Sequence, residues 1–260
     1  MTIRLVTFVV PAVALVACAH VARTQSLAQR VEAIGTGAVT FHFAGRPGLC
    51  GDGETFMRMG RSYMGSFSDA TRSAPCIVGP LQVRLALRDG RVTKIDTWAG
   101  PVRERTARAL GAVSSAGAAS YLMQVASNAQ GSVGEEAIFA AVLADSATVW
   151  PALLAMVHEP HARDQKVRQN AIFWLARYAA GNVAGHVNDP FQRADEDDGG
   201  DGVKAHAVFV LSQLHDGSGI PSLIDIARTN HDPQLRGSAL FWLGQSGDPR
   251  ALALIESLLQ

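Results

Sequence analysis

Three cysteines are the residues of this 260-residue chain whose chemistry depends most on where the protein resides. Cys18 lies in an apolar N-terminal stretch, whereas Cys50 and Cys76 lie in the body of the chain. When that stretch is removed on export, or Cys18 is acylated, two thiols remain, and two thiols in an oxidising compartment normally pair. We therefore expect a disulfide between Cys50 and Cys76. Two thiols without well-spaced histidines make only half a zinc site, so we expect no metal there.

Two further groups carry metal-ligating side chains without the spacing that a metal ion needs. Residues 195–202 (DEDDGGDG) combine carboxylates with glycines but lack the alternating spacing and the distal glutamate of an EF-hand calcium loop. His158 and His161 are three residues apart around Pro160, whereas the helical zinc motif needs a spacing of four on an unbroken helix. The first pattern predicts a solvated acidic loop, which could dock a basic partner. The second predicts a turn between helices.

The sequence contains no other signature of catalysis. It has no nucleophile elbow, no phosphate-binding glycine motif and no paired-carboxylate pattern, and residues 216–219 (DGSG) fit a turn rather than an esterase motif. His206, His215 and His231 fall one per repeat junction and fit polar edges. We therefore predict no catalytic residue, no cofactor and no metal. A formal net charge of zero provides no basic excess for binding nucleic acid.

Residues 1–25 have the pattern of a secretory signal peptide. Arg4 precedes an apolar run, residues 5–16, which is too short to span a bilayer but fits the core of a signal peptide. Cleavage near residues 19–25 would release a periplasmic or secreted protein. Alternatively, the sequence LVAC ending at Cys18 is a lipobox, which would make Cys18 the lipidated first residue of a protein anchored to a bacterial membrane. Both routes predict export.

Residues 26–100 predict a small β-rich domain that begins with a short helix. Residues 39–43 alternate apolar and polar side chains, as in a half-buried strand. Two longer alternating runs, residues 81–88 and 91–98, flank an Asp-Gly pair at residues 89–90, which is a strong hairpin signal. The core of such an antiparallel unit is thin, and the expected disulfide would close it.

From residue 101 onward the apolar pattern becomes helical and repeats. Four apolar segments that each contain a phenylalanine start 34, 36 and 32 residues apart. They are residues 137–139, 171–175, 207–211 and 239–243. The second helix of a repeat is predicted at residues 147–157, 221–229 and 249–259. A further helix pair, at residues 103–113 and 118–126, is predicted to begin the array. Between residues 178 and 203 the acidic loop replaces a second helix, so we expect about five helix pairs, one of them interrupted.

The repeats resemble the HEAT-repeat family, in particular the short bacterial HEAT-like repeats of the phycobilisome-lyase type. The resemblance covers residues 102–260 and is strongest in QKVR at residues 165–168 and in DPQLR and LGQSGDPRAL between residues 232 and 252. It implies a curved α-solenoid whose concave face binds a partner, with acidic and arginine residues that only cap helices and bridge repeats. The structural helix caps are Asp232, Pro233, Asp248 and Pro249. The β-rich domain shows no such resemblance.

The sequence therefore predicts an α+β protein in which a disulfide-closed antiparallel β unit precedes an all-α solenoid. Because adjacent helical residues point in different directions, Trp174 and Trp242 could line the concave face. The last helix carries apolar residues on two neighbouring stripes, although a terminal repeat normally presents a polar outer face. We predict a partner-binding or self-association surface there, at Leu252, Ile255 and Leu259.

The function that these features favour is a non-catalytic scaffold of the cell envelope that binds another protein. One alternative is an enzyme, or an enzyme accessory, of the bilin-lyase type. Export and the absence of a plausible bilin-attaching cysteine argue against it. The other alternative is a β unit that binds a small ligand or a glycan, with the solenoid serving only as its stand.

Overall fold

The computed structural model describes residues 25–54, 56–59, 62–65, 75–103, 105–159, 164–183, 190–191 and 202–260. The elements of the first half are α1 (Leu27–Glu32), β1 (Gly37–Phe43), β2 (Leu49–Gly51), β3 (Phe56–Met59), β4 (Ser62–Gly65), β5 (Ile77–Val78), β6 (Leu81–Arg88), β7 (Arg91–Ala99) and β8 (Arg108–Ala112). The second half contains α2 (Ser115–Asn128), α3 (Ser132–Val142), α4 (Trp150–His158), α5 (Gln165–Val183), α6 (Gly202–Ser212), α7 (Ile220–Thr229), α8 (Pro233–Ser246) and α9 (Pro249–Leu259). The predicted mixture of a β-rich first half and a helical second half is confirmed.

The main sheet is built on strands whose side chains alternate between a buried and a partly exposed face. In β1, Val39, Phe41 and Phe43 are buried and the residues between them are half-buried. β1 pairs antiparallel with β6, and β6 pairs antiparallel with β7. Asp89 and Gly90 connect β6 to β7 with φ angles of 50° and 74°, which is the left-handed backbone that a two-residue hairpin turn requires. The predicted hairpin is confirmed.

The helix predicted at residues 103–113 is wrong. The second half of this segment forms β8, which pairs in parallel with β1 and completes the sheet order β7-β6-β1-β8. The segment is rich in good helix formers, but the free edge of β1 offers its backbone a hydrogen-bonding partner, and such tertiary pairing outweighs local propensity. The main sheet therefore extends beyond residue 101, where we placed the domain boundary, and the helical half begins with α2.

A second, smaller sheet of order β4-β3-β2-β5 holds the disulfide. Cys50 in β2 is bonded to Cys76, which directly precedes β5, and their Cα atoms are 5.1 Å apart. The predicted disulfide is confirmed. This sheet meets the end of β7 through direct backbone contact, because a Cβ atom on Gly51 would lie 2.4 Å from the carbonyl oxygen of Ala99. A side chain larger than hydrogen at position 51 would separate the two sheets.

Eight of the described helices, α2 to α9, pack in two layers of four. One layer runs α3, α5, α8, α6, and the other runs α2, α4, α9, α7. Tyr121 of α2 packs on Phe41 of β1 with ring centroids 6.5 Å apart, and Glu136 of α3 accepts a 3.3 Å hydrogen bond from the backbone nitrogen of Ile95 in β7. Burial, with a further contribution from Glu32, raises the pKa of Tyr121 to about 12. The sheet and the helices therefore share one core.

The order of helices within a layer differs from their order along the chain. α8 packs directly on α5, and this contact is so close that a Cβ atom on Gly244 would lie 2.4 Å from the Cβ atom of Ala176. Arg236 of α8 donates a 2.7 Å hydrogen bond to the backbone oxygen of Val183 in α5. α6 lies on the far side of α8. The last repeat therefore lies between α5 and α6. A regular solenoid would instead stack its repeats in chain order.

In a regular array, the second helix of a repeat packs beside the first helix of the same repeat. Here α9 takes that position beside α5. It packs on both α5 and α8. The Nε2 atom of His158 in α4 lies 2.8 Å from Oε1 of Glu256 in α9, which places α9 next to α4 in its layer. The described helices α2 to α9 thus form four spatial pairs rather than about five. The pair of α6 and α7, instead of the last pair in the chain, stands at the end of the stack.

An Asp-Pro pair begins each helix of the last repeat. The side chains of Asp232 and Asp248 accept 2.8 Å hydrogen bonds from the backbone nitrogens of Gln234 and Arg250. A proline occupies the start of each helix, where its missing N–H has no cost. Hydrogen bonds from the Arg250 side chain hold the pKa of Asp248 below its usual value. The sequence Asp-Pro therefore acts here as a helix start signal.

Candidate partner-binding face

Six aromatic side chains form a continuous row across the layer of α3, α5, α8 and α6. In spatial order they are Phe139, Trp174, Phe173, Phe241, Trp242 and Phe209. Successive ring centroids are 6.2, 5.1, 6.1, 5.0 and 5.1 Å apart. The three central contacts are edge-to-face, a geometry that adds about 0.5–1.5 kcal/mol per pair beyond the area buried. The phenylalanine that recurs in each repeat therefore builds one surface, which we call the aromatic row.

The part of the aromatic row that lies on α5 is covered by the chain itself. Trp174 is only 6% exposed, and the ring of Phe191 lies 5.3 Å from it. The adjoining Pro190 is held by Arg177, whose Nε donates a 2.6 Å hydrogen bond to its backbone oxygen. The indole nitrogen of Trp174 is buried without an acceptor among the described residues. Trp174, which the sequence indicated as a partner-binding residue, is thus a packing residue in this structure.

The α6 end of the aromatic row is open. Phe209, Val210 and Leu214 are 38%, 46% and 44% exposed, although each is large and apolar. Trp242 is half-buried beside them, with its ring 5.1 Å from that of Phe209. Residues 207–214 carry no charge. We call Phe209, Val210, Leu214 and Trp242 the open end, and it is an uncharged apolar patch at the last helix of the layer.

The last helix in the chain does not provide this surface. Ile255 is fully buried and Leu259 is 6% exposed, because α9 lies between α4 and α7 and against α5 and α8. Leu252 is half-buried and packs against the same core. The two apolar stripes of α9 contact the helices on either side, so Ile255 and Leu259 are core positions.

The other predicted positions carry no cluster of functional groups. Cys18, the predicted signal peptide, His161 and the acidic loop 195–202 fall outside the described part of the chain, apart from Gln25 and Gly202. His158 pairs with Glu256, while His215 and His231 are exposed. His206 lies in α6, but its side chain is not among those described. Among the described residues, no group of three or more histidine, cysteine or acidic side chains could hold a metal ion. None of the described helices is long and apolar enough to cross a membrane.

Sequence reasoning missed Val210 and Leu214 and treated Phe209 only as a core position. A signal was available in α6, where VFVL at residues 208–211 places apolar side chains on several sides of one helix turn. A helix buried on one side needs a narrower apolar stripe. An apolar stripe that covers several sides of a helix indicates either burial on all sides or an exposed apolar face.

The comparison with known proteins concerns the last repeat. Residues 235–260, which form most of α8 and all of α9, match the family model described as PBS lyase HEAT-like repeat. The predicted resemblance is confirmed over these residues. No curated protein and no solved structure matches the chain.

Proposed function

We propose that the protein is a non-catalytic binding protein that holds another protein at the open end of its helical layers. The observation that carries this proposal is the exposure of Phe209, Val210 and Leu214 at the end of the stack. Terminal repeats normally turn a polar face outward, because an apolar one invites association. The HEAT-like repeat at residues 235–260 supports a role in interaction rather than in catalysis.

The partner that fits the open end best is a protein that offers an apolar helix side. Within the chain, α8 already packs on one side of α6, and a helix on the opposite side would extend the layer by one. Covering three large side chains that are 38–46% exposed would contribute roughly 2–4 kcal/mol. This is enough for the centre of an interface but requires polar contacts around it. Trp242 would supply the aromatic anchor.

Export to the cell envelope is part of the same proposal. A disulfide between Cys50 and Cys76 is stable in an oxidising compartment, and the signal-peptide pattern of residues 1–25 provides the route. Processing at the lipobox would anchor the protein at Cys18, whereas ordinary cleavage would release it into the periplasm or medium. In either case the open end meets envelope or secreted proteins.

Photo-crosslinking in living cells tests the binding role. We expect a benzophenone amino acid at Val210 to give a discrete covalent adduct with a second protein, because this side chain points outward at the open end. The matched control places the same amino acid at Ser222, which is exposed on α7 in the other layer. The adduct from position 210 should decrease when Trp242 is replaced by alanine.

Two outcomes decide against the binding role. Absence of any adduct at position 210, or an equal pattern of adducts at positions 210 and 222, would show that the open end has no preferred partner. An adduct with twice the mass of the chain would identify the partner as a second copy, and the binding role would then be self-association.

A further inference from the structure

A cavity of about 350 Å³ lies between the main sheet and the segment that connects β7 to β8. These two strands are at opposite edges of the sheet, so the connection between them, whose described residues 100–103 and 105–107 we call the crossover, must run across a sheet face. The helices occupy the other face, where Phe41 meets Tyr121. The cavity wall includes Thr40, His42, Gln82, Trp98, Arg103 and Arg105.

The strand register builds the floor of this cavity. His42 of β1 is opposite Gln82 of β6, and Gln82 is opposite Trp98 of β7, so that three side chains form a row across three strands. Gln82 is only 6% exposed. Its amide nitrogen donates hydrogen bonds of 3.3 and 3.0 Å to the backbone oxygens of Gly100 and Pro101. The buried amide thus holds the crossover at a fixed distance from the sheet and keeps the cavity open.

Two guanidinium groups lie at the described wall, and one of them is in an ion pair. The guanidinium carbon of Arg105 lies 3.9 Å from the ring centroid of Trp98, and its Nη2 atom donates a 2.6 Å hydrogen bond to the backbone oxygen of Gly53. Its Nε atom is buried without an acceptor among the described residues. A buried donor of this kind is destabilising until an acceptor reaches it. Arg103 adds a second guanidinium, 3.5 Å from Glu54.

We propose that this cavity binds a small organic carboxylate with a flat apolar body. Arginine presents a planar set of donors that matches a carboxylate, and the wall-lining residues that the structure describes include two arginines and no acidic side chain. The apolar body of the ligand would lie among Trp98, Val102 and Ala109. The cavity volume is within the range of small-molecule sites. The wall therefore selects for both a charge and a flat ring.

Calorimetric titration with benzoate tests this site on the full chain with its disulfide intact. We expect saturable binding of benzoate. Benzamide, which has the same shape but no charge, should bind at least tenfold more weakly, because a charge-assisted hydrogen bond contributes at least that factor. Inorganic phosphate, which has the charge but no ring, should also bind at least tenfold more weakly than benzoate.

Three variants locate the binding event. Arg105→Gln removes the charge above Trp98, and Ala109→Phe fills the cavity from the exposed strand β8 while leaving both arginines in place. We expect each to weaken benzoate binding at least tenfold. Arg91→Gln makes the same change of charge at an exposed position of β7 away from the cavity and should bind benzoate like the unmodified protein.

The proposal is overturned by any of four results. They are no binding of benzoate to the unmodified protein, equal binding of benzamide, equal binding of phosphate, and unchanged binding by the Ala109→Phe variant. Circular dichroism of each variant verifies that the sheet is intact. Because Ala109→Phe changes no group that holds the crossover, its result remains informative if Arg105→Gln fails to fold.

Discussion

Replacing both Cys50 and Cys76 with serine should lower the free energy of unfolding by about 3–4 kcal/mol. The disulfide closes a loop with a sequence separation of 26 residues, so its loss gives the unfolded chain many more conformations. The strands of the small sheet that flank the disulfide are short, since β2 has three residues and β5 has two. Strands this short gain much of their stability from cross-links or from a large core. Urea denaturation without reductant measures the difference.

Reduction provides the control for this prediction. A thiol reductant should bring the unmodified protein to the stability of the double-serine variant and leave the variant unchanged. If the variant and the unmodified protein unfold at the same urea concentration under oxidising conditions, the small sheet is held by packing alone and the disulfide has no structural role.

Replacing Ile255 with alanine should destabilise the protein by about 2–5 kcal/mol, the range for removing a large aliphatic side chain from a packed core. Ile255 is fully buried, and α9 is surrounded by α4, α5, α7 and α8. Leu252→Ala is the matched control on the same helix. Because Leu252 is half-buried, its loss should cost about 1 kcal/mol. Denaturant titrations of the two variants give the comparison.

A different result would indicate that the last helix forms a surface for association. If both substitutions change the free energy of unfolding by less than about 0.5 kcal/mol, and if both dissociate an oligomer seen by light scattering, α9 is an association surface. The sequence alone favours that outcome. The structure favours a core role because α9 lies between other helices of its layer.

The main sheet and its turn could be predicted because their signals are local. Alternation in residues 39–43 and in β6 reports burial on one face, and Asp89-Gly90 supports a turn that few other residue pairs adopt. The disulfide followed from counting two thiols in a chain that we expect to be exported. The Asp-Pro pairs that begin α8 and α9 could be predicted for the same reason, because a helix cap depends on a few neighbouring atoms.

The features that escaped prediction depend on contacts between distant segments. β8 was assigned to a helix because nothing within residues 103–113 reveals that the edge of β1 lies beside it. The position of α8 on α5 depends on the close approach of Gly244 to Ala176, 68 positions away along the chain. A repeat period shows that units stack but does not specify which unit contacts which.

The apolar face at the end of the helical array differs in position from the one that the sequence indicated. The sequence indicated an apolar face at the end of a helical array, and the structure has one at α6 instead of α9. The same aromatic repeat position supplies both a covered residue, Trp174, and an exposed one, Phe209. Their environments differ because Phe191 covers the first and the end of the layer exposes the second.

The order of helices in the layer decides which surface is available to a partner, and nuclear Overhauser effects between aromatic rings test it most directly. With selectively labelled phenylalanine and tryptophan, we expect contacts between Phe173 and Phe241 and between Phe209 and Trp242, whose ring centroids are 6.1 and 5.1 Å apart. Contacts between Phe173 and Phe209, with none between Phe173 and Phe241, would contradict this order. They would place α6 beside α5 and α9 at the end of the stack.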